Sequence, residues 1–282
     1  MSEFLNYNKK KEYLVCVDSD GCAIDSMDIK HFRSFGPCMV DEWNLDEWKD
    51  EILKRWNEIN LYTITRGINR FKGLLMALKE INEKYTEIMD LESLEEWTKT
   101  TNELSNNSVI REIEKKPDSI ILKKALSWSN KVNASIKALP EEEILPFEMV
   151  KEALEFAHVR ADVAIVSSAN LGAVLDEWTR HNLIAHTDIV LAQNAGTKAY
   201  CIQELLKKGY DPNNVLMCGD ALGDLEAANK NNVHFYPILV RNEKQSWTEF
   251  ITIGFEKLLS NEYSGEYQEK KIQEFLSNLG GK

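Results

Sequence analysis

The sequence predicts an α/β protein, with a doubly wound, Rossmann-like parallel sheet and an all-helical domain inserted into it. Three short apolar runs, Tyr13–Val17, Val163–Val166 and Val215–Cys218, end abruptly in small or acidic residues and indicate buried strands. Runs without polar alternation are typical of parallel strands that are covered on both faces. Helical patterns separate the runs, and this alternation predicts helices on both sides of the sheet.

Further patterns complete the predicted core. The helical patterns next to these strands are Glu148–Ala157, Ala173–His181, Ala199–Lys208 and Leu222–Lys230. Two weaker apolar runs, Ile189–Ala192 and His234–Leu239, predict additional strands and a sheet of five strands or more. Because Pro237 cannot donate a hydrogen bond to a neighbouring strand, the last run can continue past it only at an edge or at a strand end.

The segment after the first strand has a different sequence pattern. Strand-like runs disappear, and charged residues alternate with apolar ones at helical spacing. The tryptophans of this segment are Trp43, Trp48, Trp56, Trp97 and Trp128. Gly21 marks one boundary, and prolines around the acidic run 141–143 mark the other. We predict an α/β core over residues 1–26 and 146–282 and a helical domain over residues 27–145.

Charge and cysteine usage restrict the partners and the compartment. The chain has 34 lysines and arginines against 46 aspartates and glutamates, a net charge of -12, so nucleic acid is not an expected partner. The five cysteines are odd in number and lack C-x-x-C spacing, which argues against a disulfide framework and against a zinc site. A reducing cytosol fits this cysteine usage best.

Neither a membrane span nor a secretion signal is visible. The longest charge-free stretch, Val163–Leu175, is interrupted by serines and an asparagine and cannot span a bilayer. The polar N-terminus precedes an apolar run that is too short for a signal-peptide core. We expect a soluble cytoplasmic protein, a monomer or homodimer, without a membrane partner.

The first strand ends in two carboxylates. Asp18 and Asp20 follow it at alternate positions, and Gly21 lets the backbone turn tightly. The carboxyl ends of strands line the ligand crevice in an α/β sheet. Asp18 is therefore a candidate nucleophile towards phosphorus, and Asp20 is a candidate proton donor to the leaving oxygen. The alternative is that this D-x-D-G pattern is a strand-ending turn.

Two more carboxylates, Asp220 and Asp224, follow the third strand around the start of a helix, where capping the helix is their alternative role. Four carboxylates gathered at strand ends repel one another unless a hard divalent cation lies among them. Oxygen ligands and octahedral geometry identify this cation as Mg²⁺. The predicted metal-binding residues are Asp18, Asp20, Asp220 and Asp224.

Polar groups between these motifs are candidates for binding a phosphoryl group. The second strand ends at a helix start, where a hydroxyl and backbone N–H groups can hold phosphoryl oxygens. The predicted phosphate-binding positions are Gly21, Ser167, Ser168, Ala169 and Asn170. Lys198, before a further helix, can neutralise the nucleophile and the phosphoryl charge. A plain helix cap at Ser167 and a solvated Lys198 are the alternatives.

The order of these motifs resembles the four-motif signature of the haloacid dehalogenase-like hydrolase superfamily. The first stretch, from Asp18 to Ser26, is similar to the D-x-D-G-x-x-x-D-S stretch of members that resemble phosphoglycolate phosphatase and β-phosphoglucomutase. Those members carry a helical cap directly after it, so the resemblance implies that residues 27–145 are a cap domain. The similarity covers roughly residues 12–26 and 146–237.

The resemblance also implies residue roles. It makes Asp18 the nucleophile and a metal ligand, and Asp20 the acid/base with its backbone carbonyl on Mg²⁺. Ser167 and Lys198 would contact the phosphoryl group. Asp220 would bind Mg²⁺, with Asp224 in support.

Some features depart from the family pattern. Ala199 follows Lys198 where many relatives have proline, and the helical insertion is larger than the compact cap of this group. Since Ser167 and Ser168 are adjacent, either hydroxyl can be the one that binds the phosphoryl group.

The presence of Asp20 favours phosphate esters, because dehalogenases need no group to protonate a leaving oxygen. We therefore expect a Mg²⁺-dependent phosphoric monoester hydrolase that acts on a small phosphorylated metabolite through an aspartyl-phosphate intermediate. A sugar-phosphate mutase of the same superfamily is the nearest alternative, and a non-catalytic phosphometabolite-binding protein is the alternative of another class. Arg66 and Arg70 are candidate contacts for an anionic substrate tail, although a solvated helix face is the alternative.

Overall fold

The computed structural model describes residues 2–280 and divides the chain into two compact units. The first unit combines the segment that ends at Ser26 with the segment that begins at Ile144. The second unit is Met27–Glu143. The chain therefore leaves the first unit once and returns to it once, as expected for an inserted domain.

The first unit contains a five-stranded parallel sheet and a two-stranded antiparallel ribbon. The strands are β1 (Tyr13–Val17), β2 (Ile24–Asp25), β3 (Leu145–Pro146), β4 (Ala161–Val166), β5 (Ile189–Leu191), β6 (Val215–Gly219) and β7 (His234–Pro237). The sheet order is β5-β4-β1-β6-β7, and β2 pairs with β3 in the ribbon. The predicted fold class is confirmed, and β7 lies at the sheet edge and ends at Pro237.

Helices account for most of the remaining chain. The α-helices in residues 2–280 are α1 (Ser2–Leu5), α2 (Met27–Lys30), α3 (Gly36–Trp43), α4 (Lys49–Leu61), α5 (Arg70–Lys84), α6 (Leu91–Thr100), α7 (Asn106–Lys115), α8 (Ile120–Lys137), α9 (Val150–His158), α10 (Leu171–Arg180), α11 (Lys198–Leu206), α12 (Leu222–Asn231), α13 (Glu243–Glu249), α14 (Phe255–Leu259) and α15 (Glu266–Asn278). None of these described helices combines the length and the apolar character that a membrane crossing requires.

The register of the sheet brings the carboxyl ends of β1, β4 and β6 to one edge. Val17 of β1 is level with Ile165 of β4 on one side and with Cys218 of β6 on the other. The backbone N–H of Asp18 continues this pairing by donating to the Cys218 carbonyl at 3.0 Å. Since the strands are parallel, the residues that follow β1, β4 and β6 leave the sheet at the same edge.

The helical unit has its own aromatic core. Along α5 the buried side chains recur every three or four residues, as expected for one apolar helix face: they are Phe71, Leu74, Leu78 and Ile81. The ring of Trp128 on α8 packs against those of Phe35, Trp56 and Phe71, with centroids 6.0–6.2 Å apart. The indole N–H of Trp128 donates to the carbonyl of Phe35 at 3.1 Å.

We expect Trp128→Ala to destabilise the protein by about 3–5 kcal/mol, because it leaves a cavity among packed rings and removes a buried hydrogen bond. The free energy of unfolding in urea, followed by circular dichroism, measures the loss. The control is Trp48→Ala, since Trp48 is only partly buried. Equal losses for the two variants would contradict this description of the core.

Candidate active site

The chain turns sharply after β1 and buries the carboxylate that follows it. Asp18 is 6% exposed. The carbonyl of Ser19 accepts hydrogen bonds from the N–H groups of Ala23 and Ile24, at 3.0 and 2.9 Å. Gly21 has a φ of +79°, a left-handed conformation that glycine adopts without strain. This turn holds Asp18 at the carboxyl end of the central strand.

Asp20 lies in the same turn and is half-buried. The hydroxyl of Ser26 donates to its Oδ1 atom at 2.5 Å. The hydroxyl of Ser26 is completely buried, so this bond restricts the orientation of the Asp20 carboxyl group. The importance of Ser26 was not inferred from the sequence, although it lies within the stretch that resembles the family motif.

The acidic residues after β6 are buried as well. Asp220 is 2% exposed and Asp224, in the first turn of α12, is fully buried. The Oδ2 atom of Asp224 accepts a hydrogen bond from the N–H of Ala221 at 3.1 Å, so the helix-capping role is real. Gly219 makes room for this arrangement, because a Cβ atom there would overlap the Asp224 carboxyl group.

The carboxylates of Asp18, Asp220 and Asp224 meet as one group, in which one oxygen from each lies within 4.8 Å of the others. Three buried like charges at this separation are unfavourable without a cation. Carboxylate oxygens are the donors that a hard divalent cation prefers, so the group fits a site for Mg²⁺. The side chain of Asp20 is not part of this group, so the expected gathering of four carboxylates is reduced to three, and metal binding by the Asp20 carbonyl stays a prediction.

Lys198 joins the group from the first position of α11. Its ammonium nitrogen lies 2.8 Å from Oδ2 of Asp18 and 2.6 Å from Oδ1 of Asp224. Burial alone lowers the pKa of Lys198, but the charges of Asp18 and Asp224 outweigh burial and hold that pKa above its ordinary value. Lys198 is therefore a fixed positive charge against the candidate nucleophile, and the solvated alternative is excluded by its 14% side-chain exposure.

The charge state of Asp18 reflects opposing effects. The pKa of Asp18 is raised to about 6. Burial raises it most, the positive charge of Lys198 lowers it, and the negative charge of Asp224 raises it further. Burial is also the main cause that raises the pKa of Asp224. A divalent cation at the group would favour the ionised form of both carboxylates.

The segment after β4 has the geometry of a helix start. Ser167 is buried, and its hydroxyl oxygen accepts a hydrogen bond from the N–H of Ala169 at 3.1 Å, while Ser168 is exposed. Asn170 caps α10 by accepting from the N–H of Gly172 at 2.9 Å. The cap of α10 is therefore Asn170 and not Ser167. Which hydroxyl binds a phosphoryl group stays a prediction.

The two candidate substrate arginines are engaged inside the helical unit. Arg66 is 4% exposed and donates to the Leu61 carbonyl at 2.8 Å. Arg70 donates to Ser129 Oγ at 3.1 Å and to Asn133 Oδ1 at 2.7 Å. Neither arginine therefore lies on a solvated helix face, which was the alternative interpretation. Their contact with a substrate stays a prediction.

Comparison with known families identifies the family of the chain. The family model of haloacid dehalogenase-like hydrolases matches residues 68–238, which is more than half of the chain. The chain belongs to this family. The resemblance drawn from the motifs is thus confirmed at the level of the family. The matched range begins after the loop that carries Asp18 and Asp20, so the roles of those two residues depend on the geometry described above.

Several solved structures are similar to the chain. A haloacid dehalogenase-like hydrolase from Xanthomonas campestris is 12% identical, with 90% of this chain and 94% of that chain covered and a TM-score of 0.50. A Thermotoga maritima protein named as a candidate β-phosphoglucomutase is 14% identical, with coverages of 86% and 99% and a TM-score of 0.46. A predicted phosphoglycolate phosphatase from Haemophilus somnus is 13% identical, with coverages of 80% and 84% and a TM-score of 0.46. No curated protein sequence matches the chain.

We expect Gly219→Ala to weaken Mg²⁺ binding at least about tenfold, because the added methyl group must displace the Asp224 carboxylate. Titration calorimetry with Mg²⁺ alone measures the affinity. Gly223→Ala is the matched control, since a Cβ atom at Gly223 meets no atom within 4 Å. Unchanged Mg²⁺ affinity in the folded Gly219→Ala protein would contradict a metal site at this group.

Proposed function

We propose that the protein is a Mg²⁺-dependent phosphatase that hydrolyses a small phosphorylated metabolite through an aspartyl-phosphate intermediate. The observation that carries this proposal is the position of Lys198, whose ammonium group bonds Asp18 and Asp224 within a buried acidic group. A lysine that only stabilises the fold through a salt bridge needs one carboxylate as its partner. Three buried carboxylates with one lysine are instead suited to binding a cation together with an anionic phosphoryl group.

In the proposed first step, a carboxylate oxygen of Asp18 attacks the phosphorus atom and the bond to the ester oxygen breaks. Asp20 transfers its proton to that leaving oxygen, and the product alcohol departs. In the second step, Asp20 removes a proton from a water molecule that attacks the phosphorus of the aspartyl phosphate. Inorganic phosphate leaves and the Asp18 carboxylate is restored.

The remaining groups stabilise charge. Lys198 balances negative charge on Asp18 and on the phosphoryl oxygens, while Ser167 and the N–H groups at the start of α10 are proposed to bind those oxygens. The Mg²⁺ ion would be held by Asp18, Asp220 and Asp224, with the carbonyl of Asp20, and would supply a positive charge next to the transferred group. Ser26 orients the Asp20 carboxyl group for both proton transfers.

Substrate selection is proposed to lie in the helical unit acting as a cap, because the acidic group can recognise only the phosphoryl part common to all esters. A sugar-phosphate mutase would use the same residues and transfer the phosphoryl group to a second sugar hydroxyl in place of water. An assay for sugar-phosphate isomerisation separates this alternative from hydrolysis. A non-catalytic binding protein would show no turnover with any ester.

We expect Asp18→Asn to lower turnover of an aryl phosphate with Mg²⁺ by at least about a thousandfold, because the amide cannot form the covalent intermediate. Release of the coloured phenol measures the rate, with and without Mg²⁺. Asp176→Asn, at an exposed position of α10, is the control and should match the wild type. Substantial Mg²⁺-dependent activity in Asp18→Asn would refute the nucleophile assignment.

Asp20→Asn should also abolish steady turnover, but the two steps should respond differently. 4-Nitrophenolate leaves without a proton, so the variant should release a burst of about one nitrophenol per enzyme and then stall, because no base activates water. Rapid-mixing absorbance and the mass of the trapped protein detect the burst and the phosphorylated chain. A steady rate equal to that of the wild type would rule out Asp20 as the acid/base.

A further inference from the structure

The loop that carries both candidate catalytic carboxylates is held by a tryptophan from another part of the chain. Trp178, on α10, is completely buried, and its indole N–H donates to the hydroxyl oxygen of Ser19 at 2.9 Å. Ser19 is also completely buried and lies between Asp18 and Asp20. Both members of this hydrogen bond are therefore shielded from water, which makes the bond expensive to break.

Ser19 directly follows the candidate nucleophile, so one peptide bond joins it to Asp18. Its carbonyl accepts the N–H groups of Ala23 and Ile24, which closes the turn. Since the side chain and the carbonyl of Ser19 are both hydrogen-bonded, a shift of this residue moves the turn and the peptide bond to Asp18 together.

We propose that Trp178 is a positioning residue for the Asp18 carboxylate and acts through Ser19. The inference rests on the proposed phosphatase function, in which Asp18 must point at phosphorus. The helix that carries Trp178 is also capped by Asn170, one of the positions proposed to bind phosphoryl oxygens. One rigid element thus connects the nucleophile with the binding site for the group that it attacks, and small misplacements of a nucleophile reduce the rate strongly.

A second tryptophan supplies a matched control. Trp247, on α13, is also completely buried, and its indole N–H donates to the backbone carbonyl of Cys22 at 3.1 Å. Cys22 belongs to the same loop but lies beyond Gly21, so it is not bonded directly to either candidate catalytic residue in the chain. Replacement of either indole by phenylalanine removes one buried hydrogen bond and a similar volume, so the two variants should lose similar stability.

The test compares Trp178→Phe, Trp247→Phe and Ser19→Ala with the wild type, using a small aryl phosphate and Mg²⁺. We expect Trp178→Phe to lower kcat roughly 10–100-fold with KM nearly unchanged. We expect Trp247→Phe to stay within about threefold of the wild-type kcat while its Tm falls as much as that of Trp178→Phe. A merely structural role would lower both kcat values equally.

Two further measurements locate the effect at Ser19. The double variant Trp178→Phe/Ser19→Ala should have the kcat of the slower single variant, because both changes break the same hydrogen bond. In a ¹⁵N–¹H spectrum, the indole resonance of Trp178 should shift in Ser19→Ala and stay unchanged in Trp247→Phe. Ser19→Ala keeps the indole ring, so it carries the kinetic test by itself should Trp178→Phe fail to fold.

The outcomes separate this inference from the proposed function. Equal kcat values in Trp178→Phe and Trp247→Phe, or a wild-type kcat in Ser19→Ala, would overturn the positioning role while leaving the phosphatase proposal in place. A double variant whose loss of kcat equals the product of the two single losses would also overturn it. Absence of Mg²⁺-dependent turnover in the wild type, for every phosphate ester tried, would remove the proposed function and this inference with it.

Discussion

Repulsion among Asp18, Asp220 and Asp224 is the constraint to which the rest of the site responds. Their carboxylates are buried within a few ångströms of one another, where water cannot screen the charges. Lys198 offsets part of this charge by bonding two of them. With all three carboxylates ionised, one ammonium group leaves two negative charges, which is the charge that one divalent cation balances. The balance of charges therefore matches a lysine and a divalent cation acting together.

The sheet makes this unfavourable arrangement possible. Adjacent parallel strands end at the same edge, so Asp18 and Asp220 are neighbours because β1 pairs with β6 up to Val17 and Cys218. The fold then removes the remaining obstacles locally. Gly219 leaves room for the Asp224 carboxylate, and α12 supplies the Ala221 N–H that binds it. The stability of the sheet is thus used to hold charges that would otherwise separate.

Sequence patterns predicted much of this arrangement, because a strand core and a strand-end carboxylate are local signals. Apolar runs indicated the five strands, and acidic residues directly after them indicated Asp18 and Asp220. The partners of side chains were not predictable in the same way. The contact between Trp178 and Ser19 joins residues far apart in sequence, and no periodicity encodes it. Arg66 looked available to a substrate from its neighbours alone, but the structure turns it towards the Leu61 carbonyl.

A phosphatase also requires that the nucleophile keep its position while charge moves. Lys198 attracts one oxygen of Asp18 strongly, and an attraction to a point charge restricts distance more than direction. The hydrogen bond from the Trp178 indole to Ser19 is directional, since an N–H group must point at its acceptor. Lys198 therefore restrains the carboxylate of Asp18, while Trp178 restrains the neighbouring residue, Ser19. Burial of Trp178 and Ser19 keeps this restraint free of competing water, and in the proposed mechanism it would keep Asp18 oriented when Lys198 is shared with a phosphoryl group.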